Sequence, residues 1–196
     1  MNGIILAGGE NRRMGMDKAF LEINGRPLIE HILDVFSTLF ARTVVVTNTP
    51  DLYRKYDIEL TSDALDIRGP LTGIYSGLLK STDEYNFIAA CDMPFLNPRL
   101  ISYMGEIAAG QDAVVPQFNG FLEPLHAIYR RGILPVIEKQ IRMQDRRIRG
   151  LFDHIRARYV TEEEIIRFDP LKQSFRNLNT PKEYKEAVCS DLECRN

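Results

Sequence analysis

Short apolar, β-branched runs alternate along this chain with longer stretches in which apolar residues recur every three or four positions. That alternation predicts repeated βαβ units around a mainly parallel sheet. The strand candidates are residues 3–6, 43–47, 58–60, 86–90, 113–116 and 125–129. Most are apolar without a break, as strands covered by helices on both faces should be. Between them, Pro27 opens a helical stripe carried by Leu28, Ile29, Ile32, Leu33, Val35 and Phe36. Residues 71–79 and 99–107 repeat that behaviour. Asn97-Pro98 and Thr180-Pro181 each read as an N-cap followed by a first-turn proline, the second opening a last helix over 181–188. The expected fold is α/β, a three-layer α/β/α sandwich with a mainly parallel, Rossmann-like sheet.

With 196 residues, 44% of them hydrophobic, and no internal repeat or linker, the chain predicts a single domain over residues 1–190 and a polar tail over 191–196. A formal net charge of -2 argues against the broad positive field of a protein that binds nucleic-acid backbones, so a small-molecule partner is expected. The start lacks a basic leader, and no stretch approaches the roughly 20 apolar residues of a membrane span, which predicts a soluble, cytoplasmic protein. Cys91, Cys189 and Cys194 are spaced for neither a disulfide framework nor a zinc site. The basic run from Arg142 to Gly150 reads as a solvated helix end or as a surface for an anionic partner.

The candidate chemistry begins where the first strand enters Leu6-Ala7-Gly8-Gly9-Glu10-Asn11-Arg12-Arg13-Met14-Gly15-Met16-Asp17-Lys18. Glycines there permit a tight turn and leave backbone N–H groups open to an anion. No Gly-Lys-Ser/Thr follows and the G-x-G-x-x-G spacing is missing, so neither a Walker A loop nor a dinucleotide fingerprint is present. A magnesium triphosphate retains net negative charge, and stabilising a leaving pyrophosphate needs fixed cations, which Arg13 and Lys18 supply. Asp92, just past the strand over 86–90, is placed where open α/β sheets bind ligands and is the natural ligand for Mg2+. Asn48 follows the second strand, and the loop from Asp63 to Gly73 offers Asp63 or Asp66 to a base or ribose. His31 and His154 read as structural, whereas His126 is open between core and site. No Ser-His-Asp or Cys-His pairing emerges, and Cys91 beside Asp92 is poorly placed to become a thiolate.

Taken together, Leu6-Ala7-Gly8-Gly9-x-x-x-Arg13-Met14-Gly15-x-Asp17-Lys18 resembles the nucleotidyltransferases that build sugar nucleotides, and specifically the molybdenum cofactor guanylyltransferases. Gly69-Pro70-Leu71-Thr72-Gly73-Ile74, Cys91-Asp92-Met93-Pro94-Phe95, Glu123-Pro124-Leu125-His126-Ala127-Ile128-Tyr129 and Phe175-Arg176-Asn177-Leu178-Asn179-Thr180-Pro181 look like that family's other motifs, in order. The resemblance implies a sheet of the nucleotide-diphospho-sugar transferase type and transfer of GMP from GTP to molybdopterin with release of pyrophosphate. It also implies that Leu6, Ala7, Gly8, Gly9, Lys18, Asn48, Asp63 and Asp92 bind the nucleotide, that Asp92 holds Mg2+, and that Asn177 and Asn179 lie near the pterin. GTP and molybdopterin are then the substrates, with transient contact to molybdopterin-handling proteins or molybdoenzyme chaperones. Similar families use CTP, and the residues leave open a cytidylyltransferase, a sugar-nucleotide pyrophosphorylase, or a non-catalytic nucleotide-binding adaptor.

Overall fold

A computed structural model describes residues 1–8 and 17–178. Gly9, Arg13, Asn179, Cys189, Cys194 and the helix expected over 181–188 lie outside those residues. The strands are β1 (Asn2–Leu6), β2 (Glu22–Ile23), β3 (Arg26–Pro27), β4 (Thr43–Val46), β5 (Glu59–Thr61), β6 (Tyr85–Ala90), β7 (Ala113–Phe118), β8 (Phe121–Leu122), β9 (His126–Arg130) and β10 (Ala157–Val160). The helices are α1 (Leu28–Leu39), α2 (Pro70–Lys80), α3 (Pro98–Glu106), α4 (Leu134–Arg142), α5 (Ile148–Leu151) and α6 (Glu162–Ile166).

The main sheet has the order β10-β7-β9-β6-β1-β4-β5, with β8 paired to β7. Along this path β9 alone runs antiparallel to its neighbours, β6 and β7. Side chains of successive strand residues point to opposite faces, and the strands divide accordingly. Ile5, Val45, Phe87, Ala89, Val114, Ile128 and Val160 join one cluster with α1, α3 and α6 through Ile29, Ile32, Phe36, Leu100, Met104 and Ile165. Ile4, Val44, Val46, Ile88, Val115 and Tyr129 join the other with α2, α4 and α5 through Leu71, Ile74, Leu78, Ile137, Ile141 and Leu151. Two apolar faces on one sheet explain the unbroken apolar runs. Gly77 lets α2 lie close on β1, since a Cβ there would come within 2.5 Å of Ile4 Cγ2.

All six strand candidates are present, with ends shifted by one or two residues. Thr47 lies just past the end of β4, where its N–H still donates to Thr61 O at 2.8 Å and its hydroxyl accepts from the Thr49 N–H at 3.1 Å. The expected cap at Asn97 is in place, its Oδ1 accepting from the N–H groups of Arg99 and Leu100 at 2.9 and 3.2 Å. The periodicity did not predict β10, whose residues are mostly half-buried at the edge of the sheet, nor the hairpins β2–β3 and β7–β8. Between β2 and β3, Asn24 and Gly25 both have positive φ, 53° and 75°, as a two-residue hairpin turn of this type requires.

Candidate active site

The connection from β1 through α1 leads to β4 on one side of β1, and the connection through α2 returns to β6 on the other. The chain therefore reverses direction across the sheet at β1, and open α/β sheets bind ligands in the crevice beyond the strand ends at such a point. Hydrogen bonds hold the outgoing segments side by side. Cys91 N–H donates to Leu6 O at 3.1 Å, Ala7 N–H to Val46 O at 2.9 Å, and Thr47 N–H to Thr61 O at 2.8 Å. Loops leaving β6, β1, β4 and β5 thus open on one edge, which gathers most of the predicted residues.

On the β4–β5 side, Asn48 Nδ2 donates to Asp63 Oδ2 at 3.0 Å. A Cβ on Gly8 would sit 3.8 Å from Asn48 Nδ2 and 3.9 Å from Asp63 Oδ2, so Gly8 borders this pair. Of the two candidate acids in the loop, Asp63 is the one built into the edge, while Asp66 is exposed. The N-terminal turn of α2 closes in behind, since a Cβ on Gly73 would meet Leu6 Cδ2 at 3.4 Å.

On the β6 side, Lys18 Nζ stands 3.7 Å from Asp92 Oδ2, and the two side chains are 14% and 17% exposed. Burial raises the Asp92 carboxyl above its usual range, and the lysine opposes this only in part. Lys18 opens a short 3-10 turn, Lys18–Phe20, capped by Asp17, whose Oδ1 accepts from Ala19 N–H at 3.1 Å. The chain returns to this point near residue 178. Leu178 N–H donates to the backbone oxygen of Asp92 at 2.9 Å, and its side chain is buried with Ile23 and Leu28 against Phe95. Asn177, next to that anchor, is exposed.

Among the described residues at this edge, Asp92 is a carboxylate that could hold a divalent cation. No group of three or more His, Cys, Asp and Glu side chains able to hold a metal occurs among the described residues. Magnesium commonly uses one or two carboxylates and completes its shell with water and phosphate oxygens. A half-buried carboxylate held above its ordinary pKa lacks compensation that a cation would supply.

His126 reaches the expected edge opposite Ala89 but faces the core. It is fully buried between Phe87 and Phe175, with ring centroids 5.0 and 4.9 Å away, and neither ring nitrogen has a hydrogen-bond partner. Burial lowers its pKa to about 3, so it is a neutral core residue. Cys91 is buried, and desolvation followed by the charge of Asp92 pushes its thiol well up, against a nucleophilic role. In the basic run, Arg147 is paired with Asp145 at 2.9 Å and Arg149 stands 5.6 Å from the Phe121 ring centroid. Glu123, raised by burial, and the pair Thr49 and Tyr53, which donate to Asp17, were not singled out from the sequence. Glu123 opens one of the quoted motifs without a role of its own there, and the tertiary fold alone brings Tyr53 to Asp17.

The MobA-like NTP transferase domain model matches residues 3–160. A molybdenum cofactor guanylyltransferase from Desulfosudis oleivorans is 39% identical over 189 residues, spanning 95% of this chain and 94% of the relative. Another, from Syntrophotalea carbinolica, is 34% identical, spanning 94% and 89%. The crystal structure of molybdopterin-guanine dinucleotide biosynthesis protein A from Archaeoglobus fulgidus superposes with a TM-score of 0.84 at 32% identity, covering 97% of this chain and all of that one, 100%. A 4-diphosphocytidyl-2C-methyl-D-erythritol synthase from Anaerococcus prevotii, 16% identical with a TM-score of 0.72, shares the fold. With the family model covering most of its length and relatives matched nearly end to end, the chain belongs to the MobA-like NTP transferase domain family and is a nucleotidyltransferase.

Proposed function

We propose that this chain transfers GMP from GTP to molybdopterin, forming the guanine dinucleotide cofactor and releasing pyrophosphate in a magnesium-dependent reaction. The observation that carries the reading is the meeting of three segments at one point. Lys18 faces Asp92 across 3.7 Å, and the Leu178 amide beside Asn177 is bonded to the backbone of that same aspartate. The relatives named as molybdenum cofactor guanylyltransferases support the choice of substrates.

In this reaction an oxygen of the molybdopterin phosphate attacks the α-phosphorus of GTP in line. The bond from the α-phosphorus to the bridging oxygen breaks, and its electrons leave on pyrophosphate. A phosphate monoester has a second pKa near 6, so the nucleophile is largely ionised at neutral pH and needs no protein base. Catalysis then consists of holding two polyanions together and neutralising the charge that grows on the leaving group. Lys18 and Arg13 take that task, with the Leu6, Ala7, Gly8 and Gly9 segment lying along the nucleotide. Asn48 and Asp63 hold the nucleoside, and Asn177 and Asn179 meet the pterin. Asp92 would hold magnesium, which would supply charge neutralisation at the phosphates. Delivery of the product implies transient contact with molybdopterin-handling proteins or molybdoenzyme chaperones.

The test is pyrophosphate release with molybdopterin, magnesium and each of GTP, CTP, ATP and UTP, alongside thermal shifts with the same nucleotides. Release and stabilisation are expected with GTP and are lost on chelation of magnesium. Preference for CTP overturns the guanylyl assignment. Tight GTP binding without pyrophosphate release establishes an adaptor instead.

A further inference from the structure

The turn that follows β4 joins the two halves of the site. Thr49 N–H donates to Thr47 Oγ1 at 3.1 Å, and the two threonine hydroxyls lie 3.2 Å apart. Between them, Asn48 reaches Asp63 on the nucleoside side. Thr49 Oγ1 points the other way and donates to Asp17 Oδ2 at 3.1 Å, while Tyr53 Oη donates to the same oxygen at 3.2 Å. The opposite oxygen of that carboxylate accepts from Ala19 N–H at 3.1 Å. The carbonyls of Asp17 and Lys18 accept from the N–H groups of Phe20 and Leu21, so the backbone on both sides of Lys18 is held.

Capping a short turn requires one acceptor for its open N–H groups. Here the cap is itself gripped by two hydroxyls from an element 32 and 36 residues further along. Tyr53 is fully buried, with its ring centroid 4.9 Å from that of Phe20 in the same turn. Burial and the charge of Asp17 push its phenol well above the ordinary range, so it remains a donor. Lysine carries a flexible stem with much rotamer freedom, so fixing the backbone on both sides of Lys18 narrows where its ammonium can reach.

We propose that Tyr53 and Thr49 are positioning residues that act through Asp17 to hold Lys18 over the leaving pyrophosphate, and that the turn 47–49 ties this placement to the nucleoside side. The identity of the leaving group rests on the proposed function. Loss of either hydroxyl lets the turn relax and Lys18 drift, and small misplacements of a positioned group cost rate steeply.

The probe is inorganic pyrophosphate with magnesium, titrated calorimetrically into wild type, Tyr53→Phe, Thr49→Val, Thr49→Ser, Lys18→Ala and the double variant Tyr53→Phe/Lys18→Ala. Tyr53→Phe is expected to weaken pyrophosphate binding and lower kcat by about three- to tenfold, the scale of one hydrogen bond, with KM for the nucleotide unchanged. The loss vanishes in the Lys18→Ala background, because coupled groups are not additive. Thr49→Ser, which keeps the hydroxyl, recovers what Thr49→Val loses, and this pair serves should Tyr53→Phe fail to fold. An equal loss with and without Lys18, or a fall in Tm with no change in affinity or kcat, overturns the inference. A wild type that binds no pyrophosphate overturns it as well. A wild type that binds pyrophosphate yet does not turn over GTP defeats the guanylyl assignment alone, and the coupling result stands.

Discussion

Two half-buried carboxylates, Asp92 and Glu164, have nearly the same exposure, 17% and 14%, and opposite chemistry. Asp92 at the ligand edge faces Lys18 across 3.7 Å, and burial leaves its pKa raised. For Glu164, at α6, burial also raises the carboxyl, but hydrogen bonds from Tyr103, Thr161 N–H and Arg158 outweigh it and bring the pKa down to about 2. Exposure therefore does not set the charge state. What differs is the balance: on Asp92 deeper burial outweighs Lys18 and a backbone hydrogen bond, whereas on Glu164 several donors outweigh burial. Glu164 spends its acceptor capacity on β10, α3 and its own capping box. Asp92 has Lys18 at 3.7 Å and stays raised by burial.

The largest expected effect tests the Asp92 half of that contrast. Lys18→Ala and Asp92→Asn should each lower turnover by about a hundred- to a thousandfold, as loss of a preorganised charge at a reacting phosphate does. Asp92→Asn should leave Tm unchanged or higher, because it removes a desolvated charge. A clear fall in Tm, followed by scanning calorimetry, would make Asp92 a structural residue like Glu164.

Glu164→Gln should do the reverse. Loss of charge-assisted hydrogen bonds should cost about 2 kcal/mol, or roughly 4–8 °C in Tm for a chain of this size, with turnover intact. The folded-state pKa lies below the unfolded value of about 4.3, so this stabilisation is complete above that value and fades as pH falls towards about 2. The gap between wild type and variant, measured by denaturant unfolding, should close over that interval.

The smallest effect concerns His126, whose ring nitrogens lack partners. His126→Leu should leave turnover unchanged and stability equal or higher by about 1 kcal/mol at neutral pH. The folded pKa of about 3 lies below the unfolded value of about 6.5, so the unfolded chain takes up the proton first and wild type loses stability as pH drops between the two. The variant should be flatter over that window. A loss of turnover instead would return His126 to the site.

Much of the fold was legible because unbroken apolar runs and helical apolar stripes report directly on burial. The runs at β1, β4, β6 and β7 are apolar on both faces, and both faces are covered. β10 escaped because an edge strand with half-buried Ala157, Arg158 and Tyr159 has no such pattern. In the candidate site, the nearness of Lys18 and Asp92 to the sheet edge could be read from loop composition and strand position, whereas the contact of Asp63 with Asn48 is visible only in the fold.

Residue order by itself determined the alternation of strands and helices, the glycine-rich turn after the first strand and the acid after β6, since each follows from local chain preference and apolar period. Only the tertiary structure decided which hydroxyls grip Asp17, which carboxylate burial holds above its usual pKa, and that His126 turns into the core. Those properties depend on burial and on donors brought from distant parts of the chain, and no local pattern encodes either.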